Sequence, residues 1–255
     1  MDRPTFVSRL DDRLRTVDFA DLDASPNGLQ VGRADGPIEH AAFAVDTAAE
    51  TIDRAAEAGA DVLVTHHGII WGGIERATGR DYDLLARLVE ADLALYVSHL
   101  PLDAHPELGN AAGVAELLGL EAREPFGELG PESVGMRGTA PEPSAVDEVR
   151  HRLADELDQG AGSVRVLPFG PDDVEDVAIV TGSGTDWLDE AAAAGVDAFV
   201  TGEGKQQVYH AAKEAGVTVF LAGHYATETF GVRSLQTLAE GWGIETTFLE
   251  APTGL

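Results

Sequence analysis

The stretch Gly59-Ala-Asp-Val-Leu-Val-Thr65 recurs as Gly195-Val-Asp-Ala-Phe-Val-Thr201, with glycine, aspartate and threonine at the same spacing in both copies. Each glycine follows a segment with helical spacing, which itself follows a short apolar segment, Ala42–Val45 or Val177–Val180. Strand, helix, terminal glycine and second strand is the order of a βαβ unit, which builds a parallel sheet. The repeat therefore predicts an α/β fold of two similar lobes related by internal duplication, with largely parallel sheets.

The region between the two copies predicts the domain boundary. Glu124–Glu132 contains prolines and glycines without helical or strand periodicity, so we interpret it as a linker. The first lobe then comprises residues 1–125 and the second 126–255, and a C-terminal helix of about Thr227–Trp242 can pack back on the first lobe. In a duplicated α/β arrangement, the strand ends of the two lobes are expected to face a common cleft.

Three further elements are expected around the repeats. A strand of about Leu93–Ser98 follows the first copy, and a strand of about Val217–Ala222 follows the second. A helix of about Ser144–Leu157 is predicted in the second lobe, with Ser144 as its N-cap.

The chain is strongly acidic. Its 255 residues contain 45 acidic and 17 basic side chains, giving a formal net charge of -28, and the acidic residues are spread through every segment. Such a field repels nucleic acids and anionic membrane surfaces, so neither is expected as a partner. Concentrated salt shortens the reach of this repulsion to roughly 3 Å at 1 M. We interpret the acidic composition as that of a protein from a halophilic source.

The absence of cysteine limits both the location and the metal chemistry. With no thiol in the chain, disulfides and thiolate ligands are excluded, and any metal must be bound by nitrogen and oxygen. The N-terminal segment lacks the pattern of a signal peptide, and no stretch has the apolar length of a membrane span. A cytoplasmic location is expected.

Histidines and carboxylates cluster after the predicted strands. His66 and His67 are adjacent at a strand end, where successive side chains point to opposite sides, so the pair can serve two neighbouring metal ions. His99 lies four residues before Asp103, His224 lies four residues before Glu228, and Glu203 follows the second repeat. Loops after parallel strands gather at one edge of a sheet. Imidazoles and carboxylates without cysteine indicate an open metal site rather than a structural zinc site.

The same segments resemble a known family. Val64-Thr-His-His-Gly-Ile-Ile-Trp71, Ser98-His-Leu-Pro-Leu-Asp103 and Ala222-Gly-His-Tyr-Ala-Thr-Glu228 are similar to the three hallmark motifs of the Nif-three-like family, and Asn27-Gly-Leu-Gln-Val-Gly32 also fits. Members of this family are often named GTP cyclohydrolase 1 type 2 homologues. The chain resembles the short form, without the central insertion of longer members.

The resemblance implies an assembly and a metal centre. It implies a toroidal homohexamer of two-lobed α/β subunits, with two divalent metal ions per subunit in the cleft between the lobes. The ligands carried over by motif are His66, His67, Asp103, His224 and Glu228, with Glu228 as the candidate for bridging the two ions. Imidazole and carboxylate accommodate zinc, iron, manganese, cobalt or nickel.

Two functions fit this reading. In the first, the chain is a metal-dependent hydrolase in which a bridging water attacks a phosphoester, a nucleotide, an amide or a ring carbon of a small molecule, and His99 acts as the catalytic base. His99 is also interpretable as a ligand, as a residue that orients a ligand, or as a core histidine. In the second, the chain is a non-catalytic metal-binding scaffold or regulator.

Several other residues have two interpretations each. Gly182–Asp186 can cradle a phosphate, but an ordinary helix N-cap at Ser183 or Thr185 is favoured. Lys205 can meet an anionic substrate or form a surface ion pair, and Trp71 and Tyr225 can line a substrate pocket or simply pack. The remaining histidines are expected at the surface: His40, His105, His151 and His210.

Overall fold

The computed structural model describes residues 1–255, which form eleven strands and ten α-helices. The strands are β1 (Gly28–Val31), β2 (His40–Asp46), β3 (Val62–His67), β4 (Ala94–Val97), β5 (Glu121–Leu129), β6 (Glu132–Ala145), β7 (Arg165–Leu167), β8 (Asp173–Ile179), β9 (Ala198–Thr201), β10 (Thr218–Leu221) and β11 (Glu245–Phe248). The α-helices are α1 (Arg3–Leu14), α2 (Ala49–Glu57), α3 (Arg80–Glu90), α4 (Leu100–Asp103), α5 (Asn110–Leu117), α6 (Val146–Glu156), α7 (Leu188–Ala194), α8 (Val208–Ala215), α9 (His224–Thr227) and α10 (Thr229–Gly241).

The chain divides into two units, each with its own sheet. Unit 1 comprises residues 1–102 and 231–251, and unit 2 comprises residues 103–230 and 252–255. The sequence division at residue 125 placed residues 103–125 with the first lobe, whereas the structure groups them with unit 2. Most of α10 belongs to unit 1 together with β11.

Unit 1 is built on a five-stranded sheet in the order β1-β4-β3-β2-β11. All neighbouring strands are parallel except β1, which pairs antiparallel with β4. Ile52 and Ala55 of α2 and Leu84 and Leu88 of α3 are buried in one apolar cluster with side chains of β2, β3 and β4. Because parallel strands are covered by helices, β3 is buried along almost its whole length.

Unit 2 is built on a six-stranded sheet in the order β5-β6-β8-β9-β10-β7. Strands β8, β9 and β10 are parallel, and the other three pairings are antiparallel. The core packs α5 and α6 against this sheet through residues such as Val114, Leu153 and Phe220. The parallel sheet expected from the repeat is therefore extended here by antiparallel strands.

The two repeats fold as predicted, into β2-α2-β3 and β8-α7-β9. Gly59 and Gly195 follow their helices with φ of +74° and +75°, in the left-handed region that favours glycine. Asp61 accepts hydrogen bonds from two backbone N–H groups, those of residues 39 and 40, and Asp197 accepts the equivalent pair from residues 175 and 176. The repeated glycine thus allows the turn after each helix, and the repeated aspartate ties the segment before the second strand to the first strand.

The predicted linker is wrong. Glu124–Glu132 forms the end of β5 and its turn into β6, in an antiparallel hairpin that pairs Pro125 with Met136. A proline is tolerated there because β5 is an edge strand, where its missing N–H can face away from the ladder. Proline and glycine in an edge hairpin give the same sequence signal as a loop.

Two smaller predictions are also wrong. Ser144 is not an N-cap, because it lies in β6 opposite Val174, and α6 begins at Val146 after the N-cap Ala145. His105 is not a surface residue: it is buried, and its Nδ1 accepts hydrogen bonds from the backbone N–H groups of Glu107 and Leu108, at 3.1 and 3.0 Å.

The acidic side chains lie almost entirely outside the cores. Asp103 and Glu228 are the two acidic residues that are buried as whole residues, and the side chain of Asp23 is also buried, at 1% exposure. An ionised carboxylate loses hydration when it is buried, so it needs hydrogen bonds or a cation in compensation. These three carboxylates are therefore candidates for function. None of the helices has the length and apolar content of a membrane-spanning helix.

Candidate metal centre

Three histidines meet at the carboxyl ends of the strands of unit 1. His66 and His67 are the last residues of β3, and His99 follows β4, the parallel neighbour of β3. The ring centroids are 4.6 Å apart for His66 and His67, 5.0 Å for His66 and His99, and 5.6 Å for His67 and His99. The candidate ligand nitrogens all lie within 4.8 Å of one another. The parallel sheet therefore brings together residues that are more than thirty positions apart in sequence.

Each of the three imidazoles donates its Nδ1 proton to an oxygen atom. His66 Nδ1 lies 2.9 Å from the Ser98 carbonyl oxygen, His67 Nδ1 lies 2.9 Å from Asp46 Oδ1, and His99 Nδ1 lies 2.9 Å from an oxygen of Asp23. A carbonyl or an ionised carboxylate can only accept, so Nδ1 carries the proton in all three rings. In the neutral imidazole the lone pair is then on Nε2, one of the two nitrogens through which histidine can bind a metal ion.

Asp23 holds His99 in place through several hydrogen bonds. Its carboxylate accepts from His99 Nδ1, from Leu100 N at 3.0 Å and from Asn27 Nδ2 at 2.8 Å. Asn27 Oδ1 in turn accepts from the His99 backbone N–H at 2.7 Å. Burial raises the pKa of Asp23, but the hydrogen bond and charge of His99 outweigh it, and the net pKa is lowered. The orientation of His99 is thus fixed at both its backbone and its ring.

Unit 2 contains a second group of candidate ligands, formed by His224, Glu228 and Glu203. His224 opens the short helix α9 and Glu228 follows it, so the spacing of four places the two side chains together. His224 Nε2 lies 3.1 Å from Glu228 Oε1, and His224 Nδ1 lies 3.3 Å from Glu203 Oε1. Glu203 also accepts a short hydrogen bond from the Ser183 hydroxyl.

Asp103 lies next to this group within unit 2. Its Oδ1 accepts hydrogen bonds from Asn110 Nδ2 at 2.7 Å and from Thr181 Oγ1 at 3.2 Å. Carboxylate oxygens of Asp103 and Glu228 lie within 4.8 Å of each other. Two buried carboxylates at this separation repel each other, and a bound cation would remove that repulsion.

The charge on His224 follows from its two carboxylate neighbours. Burial lowers its pKa, but hydrogen bonds and charge from Glu228 and Glu203 outweigh it and raise the pKa to about 9. The ring is therefore protonated at neutral pH in the metal-free chain. A metal ion that binds His224 must displace this proton, so affinity at His224 should increase as the pH rises toward 9.

Gly182 leaves the space that the Glu228 carboxylate occupies. A Cβ built on Gly182 would collide with Glu228 Oε1 and lie 3.1 Å from His224 Nε2. The residue has φ of +60°, and its carbonyl accepts from the N–H groups of Gly202 and Glu203, both at 3.0 Å. A glycine is needed here for both its backbone conformation and its size.

The comparisons with known proteins identify a single family. A family model described as Duf34/NIF3 (NGG1p interacting factor 3) matches residues 1–253. The chain belongs to the Duf34/NIF3 family. A protein of Halobacterium salinarum named GTP cyclohydrolase 1 type 2 homolog is 57% identical over 255 residues, and the match covers 100% of both chains.

Two solved structures show the same fold. A crystal structure from Thermus thermophilus has a TM-score of 0.89 at 38% identity, and a structure of protein ybgI, described as of unknown function, has 0.90 at 33%. Each match covers 100% of both chains. The predicted α/β fold of two similar lobes and the family resemblance are confirmed.

The family motifs account for the ligand candidates but not for the residues that hold them. The structure places His66, His67 and His99 together in unit 1, and Asp103, His224 and Glu228 together in unit 2. Sequence reasoning did not identify Asp23 and Asp46 as the hydrogen-bond partners of the imidazoles. Asp46 ends β2 and pairs in register with His67, a position that the predicted parallel strands could have indicated.

The remaining residues that had two interpretations from the sequence are each decided by their contacts or their burial in the structure. Ser183 is the N-cap residue of a 3₁₀ helix, Gly184–Trp187, as one favoured interpretation had it, but its hydroxyl donates to Glu203 and makes no capping hydrogen bond. Lys205 forms an ion pair with Asp186, at 3.0 Å, rather than with Glu203. Tyr225 is buried, whereas Trp71 is exposed beside His99.

The role of Gly182 is tested with a matched pair of alanine variants. Gly182→Ala and Gly195→Ala each place a side chain in the left-handed region, at a cost of about 1–2 kcal/mol. No atom lies within 4 Å of a Cβ built on Gly195, whereas at Gly182 the Cβ displaces the Glu228 carboxylate. We expect both variants to lose stability, Gly182→Ala more so because it also displaces a buried carboxylate, and only Gly182→Ala to lose metal affinity, by at least about tenfold. Equal zinc affinity of the two variants in a competitive titration would contradict this role of Gly182.

Proposed function

We propose that this Duf34/NIF3 chain is a divalent-metal-dependent hydrolase acting on a small molecule such as a phosphoester or nucleotide. The observation that supports the proposal most strongly is the common hydrogen-bonding pattern of His66, His67 and His99, each of which keeps the lone pair on Nε2. For His66 and His67 that lone pair can bind a metal ion, and for His99 it can accept a proton.

The ligand set of the proposal is His66, His67, Asp103, His224 and Glu228, serving two divalent ions per chain. This set follows the motifs of the sequence resemblance. Its donor atoms are imidazole nitrogens and carboxylate oxygens, which suit zinc, iron, manganese, cobalt or nickel. Within unit 2, the space beside Gly182 and the proximity of Asp103 to Glu228 fit a bound cation.

Two divalent ions, when bound, would supply the Lewis acidity that activates a water molecule and stabilises negative charge on the reacting group. The chain's own residues supply the proton transfer. His99 has its Nδ1 proton held by Asp23, so its Nε2 can accept the proton that the attacking water loses. The lowered pKa of Asp23 keeps that carboxylate ionised, which stabilises the imidazolium formed in this step.

The hydrolase proposal is tested with Glu228→Gln and a control, Glu214→Gln, an exposed glutamate of α8 in the same unit. We expect the wild type and the control to bind two equivalents of metal per chain, as measured by elemental analysis after reloading. Glu228→Gln should lose at least one equivalent, because the amide lacks the charge that balances the ion. Metal-dependent hydrolysis on a panel of phosphoesters and nucleotides should fall by at least about 100-fold in that variant.

The same experiment separates the two functional interpretations. Less than one equivalent of metal in the reloaded wild type would rule out the dinuclear centre. Full metal loading without metal-dependent turnover on any panel member would favour the non-catalytic scaffold instead. A thermal unfolding curve for each variant shows whether a loss of metal reflects the site or the fold.

We also propose that the chain works as a homohexamer in concentrated salt. The hexamer follows from the sequence resemblance, and the salt requirement from the net charge of -28 carried by an exposed acidic surface. Light scattering at 1 M KCl or above, where the Debye length is about 3 Å, should give the mass of six chains. At about 0.1 M, where it is about 10 Å, self-repulsion should lower the unfolding temperature. A monomer mass at high salt would contradict the ring, and an unfolding temperature independent of salt would contradict the salt requirement.

A further inference from the structure

Trp71 is an exposed aromatic residue held beside the three histidines of unit 1. Trp71 is 47% exposed, whereas Tyr96 in β4 of the same unit is completely buried. The ring centroid lies 5.1 Å from that of His99, nearly perpendicular to it at 82°, and 6.2 Å from that of His67. The indole therefore packs against an imidazole of the candidate metal centre, and much of its remaining surface faces solvent.

The backbone on both sides of Trp71 is anchored by hydrogen bonds. Before it, the N–H groups of Ile69 and Ile70 donate to Gln30 Oε1, at 3.2 and 3.3 Å. After it, Gly72 N donates to the Ala24 carbonyl oxygen at 2.6 Å. The segment that contains Ala24 also supplies Asp23, which orients His99. The main chain that carries the indole is thus tied to the segment that orients His99.

Gly68 shows how closely the Gln30 anchor is packed. A Cβ at Gly68 would collide with the Gln30 side-chain amide, so the glycine after the His-His pair leaves room for Gln30. The Gln30 amide is held in turn by donating to the Pro26 carbonyl oxygen at 2.8 Å and the Ser25 hydroxyl at 3.2 Å. Gly68 and Gln30 therefore connect the His-His pair to the segment that carries the exposed indole.

Scattered exposed aromatic residues are common and need no ligand. Trp71 differs from them because its indole lies against His99, the proposed base. An indole offers a large, electron-rich face on which a planar, electron-poor heterocycle can stack. We propose that Trp71 is the stacking platform for the substrate, and that the substrate contains a planar heteroaromatic ring of the nucleobase class. This inference rests on the proposed function, because it names the substrate class of the same site.

The distances place this platform beside the candidate metal centre. The ring centroids of His99 and His67 lie 5.1 and 6.2 Å from that of Trp71, so a ring stacked on the indole is held next to these histidines.

The test measures binding of adenosine, adenosine 5′-monophosphate and ribose 5-phosphate by calorimetry, with metal-depleted and metal-loaded protein. Trp71→Leu removes the aromatic face, Trp71→Phe keeps a smaller one, and Tyr82→Leu is the control at an exposed aromatic residue of α3. Loss of base stacking is expected to weaken binding of both adenine compounds by about tenfold to 100-fold in Trp71→Leu. Trp71→Phe should restore most of the affinity, and Tyr82→Leu should match the wild type.

The outcomes decide the proposal independently of turnover. Adenosine affinity that is equal in the wild type and Trp71→Leu, or no adenosine binding in the wild type, would overturn it. So would ribose 5-phosphate binding as tightly as adenosine 5′-monophosphate, because the phosphate would then be the recognised group. If Trp71→Leu instead abolishes binding to lipid vesicles without affecting adenosine, the exposed indole is a membrane contact and the proposal fails. Aromatic-dependent binding without hydrolysis would support the platform while contradicting the hydrolase.

Discussion

The candidate metal centre depends on one kind of interaction, the hydrogen bond from an imidazole Nδ1 to a fixed oxygen acceptor. His66 uses a backbone carbonyl, and His67 and His99 use the carboxylates of Asp46 and Asp23. Each acceptor fixes both the rotation of the ring and the nitrogen that carries the lone pair. Because Ser98 and Asp46 follow or end strands parallel to β3, the sheet itself sets these acceptors in place. The repeat that forms the sheet therefore also orients the ligands.

Electrostatics separates the candidate ligands of unit 2 from the rest of an extremely acidic chain. The exposed carboxylates are hydrated and screened by salt, whereas Asp103 and Glu228 have lost most of their hydration. In the metal-free chain, protonated His224 provides part of the compensation through its contact with Glu228. A divalent ion would provide more, and would release that proton as it binds. Asp103 and Glu228 are therefore the carboxylates of unit 2 that a bound cation would stabilise most.

Much of the fold, and the grouping of candidate ligands after the strands, could be predicted from the sequence, because both follow local patterns. The βαβ order was visible in the repeated glycine and aspartate, and the ligands stood in motifs after strands. The edge hairpin at Pro125 was missed, since proline and glycine look the same in a loop and in an edge strand. The acceptor role of Asp23 was missed for another reason: it lies far from His99 in sequence, and the contact depends on tertiary folding. Burial of a charged residue such as Glu228 likewise has no local signal.

The orientation of the imidazoles is the central claim, and nitrogen-15 NMR of the histidine side chains tests it most directly. The measurement uses metal-free protein at high salt and at about pH 8, where an ordinary imidazole is neutral. The account predicts that His66, His67 and His99 all carry the proton on Nδ1 and a lone pair on Nε2. Protonation of Nε2 with a bare Nδ1 in these three rings would contradict it, because Nε2 would then have no lone pair to offer to a metal ion or a proton.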